Sequence, residues 1–119
     1  MYELIFYKNK RGHSAVIDYI MELSKKAPTD KESRVIYQKV LAYFNMLEEH
    51  GTRLDKKYVK HLLGPIWELR PIKTRILFAY YKDNKFIILH YFIKKTKKTP
   101  KSEIQKANQN YYDFIERNE

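Results

Sequence analysis

The chain has 119 residues, 44% of them hydrophobic and 15% aromatic, with three Gly, four Pro and no Cys. A chain near this size hides roughly two-thirds of its unfolded surface on folding, so disordered, collagen-like, disulfide-framed and thiolate-metal classes are excluded. The formal net charge is +10, and residues 53–101 hold 14 basic against 3 acidic side chains, a net of +11, whereas residues 1–52 hold 8 against 7 and residues 102–119 hold 2 against 4.

Residues 2–8 alternate, Tyr2, Leu4 and Phe6 against Glu3, Ile5 and Tyr7, and predict a first strand rather than a signal peptide. Ser14 is a good N-cap for a helix over about 15–26, whose apolar stripe is Val16, Ile17, Ile20, Met21 and Leu23. Pro28 breaks the chain, and Thr29-Asp-Lys-Glu32 reads as a capping box. The second helix carries Val35, Ile36, Val40, Phe44 and Leu47 at helical spacing, with Gly51 as its C-cap glycine.

Residues 52–65 read as a basic loop. Three strand signals follow, at 66–71, 74–82 and 85–95, rich in β-branched and aromatic residues. Asp83-Asn84 suits a two-residue hairpin turn, because both residues tolerate positive φ. Thr99 as N-cap and Pro100 at the first helical position open a last amphipathic helix through Ile104, Ala107, Tyr111, Phe114 and Ile115. No apolar run approaches the roughly 18 residues of a membrane span. A single soluble domain over 1–119 is expected, cytoplasmic and without a membrane partner.

A two-residue turn at 83–84 fixes the register of the last two strands. It sets Ile76 opposite Tyr91, Phe78 opposite Leu89 and Tyr80 opposite Ile87 on a face packed by helices. Arg75 opposite Phe92 and Leu77 opposite His90 fall on the other face. Extending the register to 66–71 adds Trp67 and Leu69 to the packed face and leaves Ile66, Glu68 and Arg70 on the other. Glu68, Arg70, Arg75, His90, Phe92 and Lys94 thus gather toward one end of a mixed face, from which Lys95, Lys97 and Lys98 leave.

A basic block of this kind reads as a footprint for a polyanion, usually nucleic acid. Arg and Lys would neutralise phosphate charge, Phe92 would stack a base, and His90 or Glu68 would move a proton. Lys57, Lys60 and Lys73 add charge around the same region. The plainer readings are a surface bridge for Glu68 and Arg70, a hydrogen-bonded structural histidine, a core phenylalanine and a solvated run of lysines. His13, His50 and His61 lack ligand spacing, so neither a metal nor another cofactor is expected.

Leu63-Gly-Pro-Ile-Trp-Glu-Leu-Arg70, Thr74-Arg-Ile-Leu-Phe-Ala-Tyr80, Ile88-Leu-His-Tyr-Phe-Ile-Lys-Lys-Thr-Lys-Lys-Thr-Pro100 and Glu103-Ile-Gln-Lys-Ala107 together resemble the HigB-type toxins of bacterial toxin–antitoxin systems, in the phage-derived branch of the RelE/ParE superfamily. The resemblance spans the chain and is densest over 60–107. It implies an α+β, RelE-like fold: an antiparallel sheet of about four strands, two N-terminal helices on one face and a C-terminal helix, the helices lying on one side of the sheet. It implies ribosome-dependent cleavage of mRNA in the ribosomal A site and neutralisation by a HigA-type helix-turn-helix antitoxin. Operator DNA would be met only through that antitoxin.

The resemblance matches Arg75 to a strand arginine of the superfamily, Lys94, Lys95 and Lys98 to its basic residues after the last strand, and Glu68 and Arg70 to its E-L-R segment. The expected activity is a metal-independent endoribonuclease in which the RNA 2′-hydroxyl attacks the adjacent phosphate. Arg75, Arg70, Lys94 and Lys95 would stabilise charge, Glu68 or His90 would assist proton transfer, and Lys57, Lys60, Lys73, Phe92, Lys97 and Lys98 would hold RNA. The rival expectation is a ParE-like toxin that inhibits DNA gyrase and cuts nothing.

Overall fold

The computed structural model describes residues 1–119. Five strands, β1 (Glu3–Phe6), β2 (Val59–Leu63), β3 (Ile66–Leu69), β4 (Thr74–Tyr80) and β5 (Lys85–Ile93), form one sheet in the order β1-β5-β4-β3-β2. Three helices accompany it, α1 (Ala15–Lys26), α2 (Lys31–His50) and α3 (Lys101–Asn118). The α+β class stands as expected, with two corrections to the sheet. It has five strands, not about four, and it is mixed, because β1 runs parallel to β5 while the other pairs are antiparallel.

The added strand, β2, lies inside the stretch that reads as a basic loop. Val-Lys-His-Leu-Leu carries little β-propensity of its own. Pairing sets it: Val59 lies opposite Leu69, Lys60 opposite Glu68 and His61 opposite Trp67. Context of this kind routinely overrides strand propensity.

Helix caps explain two further boundary shifts. Ser14 caps α1 as expected, accepting the Ile17 amide at 3.1 Å. The cap of α2 is Asp30 rather than Thr29, and its carboxylate accepts both the amide (3.1 Å) and the hydroxyl (2.5 Å) of Ser33. A carboxylate also complements the positive helix end. Pro100, not Thr99, takes the cap position of α3, because the Thr99 hydroxyl is committed elsewhere. Gly51 ends α2 at φ +60, where a Cβ would stand 2.7 Å from the Tyr2 ring.

Helices lie on both faces of the sheet, not on one. Val16, Leu23, Ile36, Val40, Phe44 and Leu47 of α1 and α2 pack with Leu69, Ile76, Phe78, Phe86 and Ile88. On the far face Ala107 of α3 packs with Ile66, Leu77, Ala79, Ile87 and Leu89. Both faces of the central strands are apolar, so each needs a cover.

The register explains that double-sided core. Leu69–Ile76 and Trp67–Phe78 pair as expected, as do Arg75–Phe92, Ile76–Tyr91 and Leu77–His90. Nearer the turn the pairing differs by one residue: Phe78 faces Ile88, Ala79 faces Ile87 and Tyr80 faces Phe86. The Tyr81 amide donates to the Lys85 carbonyl, which draws Lys82 into the connection. A bulge at Leu89 then restores the register at the far end. Asp83 and Asn84 do adopt positive φ, +54° and +59°. The consequence is that Ile87 and Leu89 face α3, while Phe86 and Ile88 join the α1/α2 core.

Candidate functional site

Leu77 of β4 pairs with Glu68 of β3 on one side and His90 of β5 on the other. All three therefore stand on one transverse row facing α3. The start of α3 lies over that row and is tied to it twice. The Thr99 hydroxyl donates to Glu68 Oε1, and His90 Nε2 meets Glu103 Oε1 at 2.7 Å. The first turn of α3 is thus a ridge with a groove on each side.

The Glu68 groove, about 190 Å3, is lined by Lys60, Glu68, Arg70, Lys97, Lys98 and Thr99 among others. Glu68 is 2% exposed. Its second oxygen lies 3.4 Å from Arg70 Nε, and Arg70 Nη1 donates to the Lys56 carbonyl at 3.2 Å. Arg70 Nε is enclosed without an aligned hydrogen bond, so Glu68 faces it as an ion rather than as a hydrogen-bond acceptor. The lysines on the rim are exposed.

The His90 groove, about 510 Å3, is lined by His90, Phe92, Lys95, Thr96, Glu103 and Lys106, with Ala15 at the start of α1. The His90 and Phe92 rings stack at 6.5 Å and 26°.

Other expected site residues lie outside both grooves. Arg75 is 6% exposed and donates through Nη1 to the carbonyls of Ile72 (2.8 Å) and Thr74 (3.0 Å). It braces the connection in which Ile72 is held at φ +56, a conformation that disfavours a β-branched residue. Burial lowers the Arg75 pKa, the nearby Glu68 carboxylate opposes that shift, and Arg70 adds to it. Lys73 pairs with Glu32 of α2 at 3.2 Å. Lys57 lies over the Tyr58 ring at 5.0 Å. Lys94 is exposed, and its amide donates to the Lys73 carbonyl at 2.7 Å.

The structure therefore brings together Lys60, Glu68, Arg70, Lys97 and Lys98 in one groove and His90, Phe92 and Lys95 in the other. Thr99, Glu103 and Lys106 are additions. Their signal is present in the run Lys-Thr-Pro-x-x-Glu, where a carboxylate three residues past the proline must sit on the first turn of a helix. No three His, Asp or Glu side chains converge in a way that could hold a metal ion. What the residues present offer is paired charge, exposed ammonium groups, one imidazole on a carboxylate and one accessible ring.

Residues 18–112 match the phage-derived protein Gp49-like family (DUF891), a family of RelE/toxin-like proteins. The chain belongs to it. The matched stretch of this Gp49-like protein runs from within α1 to Tyr112 of α3, so it holds every residue lining the two grooves except Ala15. Among curated proteins, none matches the chain. No helix of this Gp49-like protein is long and apolar enough to cross a membrane.

Proposed function

We propose that this Gp49-like protein is the toxin of a HigB-type toxin–antitoxin pair, acting on the mRNA of translating ribosomes as an endoribonuclease. A helix-turn-helix antitoxin of the HigA kind would neutralise it and would carry any contact with operator DNA. One observation supports this reading above others: groups able to bind phosphate and to move protons are concentrated on either side of the first turn of α3. Lys60, Arg70, Lys97 and Lys98 line one groove, and Lys95, Lys106 and the His90–Glu103 pair line the other. A toxin that only occupied a gyrase surface would need the charge but not an imidazole held on a carboxylate.

The reaction that fits these groups is attack by the RNA 2′-hydroxyl on its own 3′-phosphate. Ammonium and guanidinium groups lower the energy of the doubly charged phosphorane, and such preorganised cations commonly supply most of the rate enhancement in charge-building steps. Phe92 offers a stacking surface worth about 1–3 kcal/mol per base, tolerant of sequence.

The test is induced expression followed by mapping of mRNA ends and assay of DNA supercoiling. Fragments with a 5′-hydroxyl and a 2′,3′-cyclic or 3′-phosphate are expected, with supercoiling unchanged. Intact mRNA with relaxed plasmid would replace this reading by gyrase inhibition. A 5′-phosphate on the downstream fragment would require water as the attacking group and would remove the 2′-hydroxyl mechanism.

A further inference from the structure

The geometry points to the His90 groove as a one-nucleotide subsite in which His90 accepts the 2′-hydroxyl proton and Glu103 fixes the imidazole tautomer. This rests on the endoribonuclease reading above and assigns its proton acceptor.

Glu103 Oε1 lies 2.7 Å from His90 Nε2. An ionised carboxylate only accepts, so Nε2 carries the proton. The neutral ring is then left with Nδ1 as its acceptor. Nδ1 has no partner within the protein and is not enclosed. It is the ring nitrogen of His90 open to a ligand, whereas Glu103 spends Oε1 on holding the ring. Glu68, the other carboxylate on the row, cannot serve in this way. It is 2% exposed, with one oxygen bonded to Thr99 and the other facing Arg70.

The groove around Nδ1 suits a nucleotide. Its volume of about 510 Å3 falls in the ~300–1,000 Å3 range of small-molecule sites. Phe92 supplies a ring beside the imidazole, and Lys95 and Lys106 supply charge for the phosphate. Ala15, the first residue of α1, opens on the same space, so the positive end of that helix adds to the field.

The step balances without a co-reactant. His90 Nδ1 takes the proton of the 2′-hydroxyl, and the 2′-oxygen forms a bond to phosphorus. The bond from phosphorus to the 5′-oxygen breaks, and that oxygen takes a proton from the Lys95 ammonium or from water. His90 is left as an imidazolium whose charge faces Glu103. The products are a 2′,3′-cyclic phosphate and a 5′-hydroxyl. In this step Glu103 acts through His90 and is a positioning residue.

Three measurements on the full chain test the assignment. In 15N-resolved NMR of the free protein, neutral His90 is expected as the Nε2–H tautomer, and Glu103→Ala should leave a mixture of tautomers. His90→Gln and His90→Ala are expected to lower the cleavage rate at saturating RNA by about 100- to 10,000-fold, the range of a general base. Glu103→Ala should lower the same rate with KM nearly constant, and a 2′-deoxy RNA analogue should bind all three variants within about threefold of wild type. An Nδ1–H tautomer in the wild type overturns the pairing whatever the activity. A folded His90→Gln protein that cleaves at the wild-type rate overturns the base assignment and leaves the nuclease reading standing. A wild-type protein that cleaves no RNA, with or without ribosomes, overturns both.

Discussion

Glu68 and His90 flank Leu77 across the sheet, one on the strand to either side, and both reach up to the first turn of α3. Two strand spacings of about 4.8 Å separate their backbones by roughly 10 Å. A sheet carboxylate meets a helix hydroxyl at one end, and a sheet imidazole meets a helix carboxylate at the other. The two groups that sequence reasoning offers as alternatives for one proton thus belong to different grooves, and the ridge between them is part of the candidate site.

The Glu68–Thr99 contact should carry stability as well as position. Thr99→Val keeps the shape but leaves a buried carboxylate short of a donor, which costs about 1–3 kcal/mol. Glu68→Ala leaves Arg70 Nε enclosed without its counter-ion and should also cost about 1–3 kcal/mol, because the rest of the guanidinium still reaches water and the Lys56 carbonyl. Urea unfolding of both single variants and the double variant checks this. The effects should be strongly non-additive, since the hydroxyl has nothing to satisfy once Glu68 is gone, and strict additivity would show that the contact is not made in solution.

Strand alternation alone puts Arg75 on an open face, where truncation leaves the fold intact. Its burial and its two bonds to the Ile72 and Thr74 carbonyls change that expectation. Hydrogen bonds from a charged donor are worth about 1.5–3 kcal/mol each, so Arg75→Ala should destabilise by about 3 kcal/mol or more. Loss of toxicity in that variant would therefore not by itself place Arg75 in the active site. Arg75→Lys keeps the charge and loses the fork, and the midpoints of the two unfolding curves should fall in the order wild type, Lys, Ala.

Much of this fold is legible because local signals agree. Ser14, Gly51 and Asp83-Asn84 mark boundaries through caps and positive φ, and those markers act over a few residues. The failures involve distance. β2 exists because β3 accepts it, and the bulge at Leu89 shifts the register so that Phe86 and Ile88 meet one core and Ile87 and Leu89 the other. A bulge leaves no letter in the sequence: Ile87-Ile88-Leu89 reads equally well in either register. The candidate site divides in the same way. Glu68, His90 and the lysines after β5 follow from strand alternation. Thr99 and Glu103 read as helix-opening chemistry, and only packing of α3 on the far face turns them toward Glu68 and His90.

Phe78→Ala tests the packing of β4 against the α1/α2 core. Phe78 is fully buried, its ring 5.3 Å from Phe86 at a near-perpendicular angle, and it lies opposite both Trp67 and Ile88. Large-to-small truncation at such a site costs about 3–5 kcal/mol. A melting temperature that did not move would show that the Phe78 ring is not packed between the sheet and the α1/α2 core.

The Tyr7–Asp113 contact should give the stability curve two pH-dependent arms. The Tyr7 hydroxyl donates to Asp113 Oδ2 at 2.7 Å and ties β1's end to α3. That bond, foremost, holds the Asp113 carboxyl below its usual range, with Arg117 helping. A carboxyl lowered on folding contributes stability above its unfolded pKa and loses it as pH falls through the folded value. Burial, then Asp113 itself, raises the Tyr7 pKa. A phenol raised on folding contributes below its unfolded pKa and loses that contribution as pH rises through the folded one. Tyr7→Phe should therefore flatten the acid arm and the alkaline arm of a plot of Tm against pH, and an unchanged profile would count against the contact.

Under the proposed function, salt dependence should separate lysines that meet RNA from those that serve the fold. Lys97 and Lys98 are exposed on the rim of the Glu68 groove and have no carboxylate partner. Lys73 is held by Glu32 at 3.2 Å on the α2 flank. Each lysine that meets a phosphate releases counterions, and for single strands the slope of log affinity against log salt is about −0.7 per contact. Binding of a 2′-deoxy RNA analogue, measured from low to moderate salt, should therefore lose about 1.4 from the magnitude of its slope in a Lys97→Ala, Lys98→Ala double variant. Lys73→Ala should leave the slope within about 0.3 of wild type, because a cation already neutralised by Glu32 releases few counterions on binding. A double variant with the wild-type slope would remove the loop after β5 from the RNA path, whatever its effect on toxicity. A Lys73→Ala variant with the larger change would shift that path to the α2 flank.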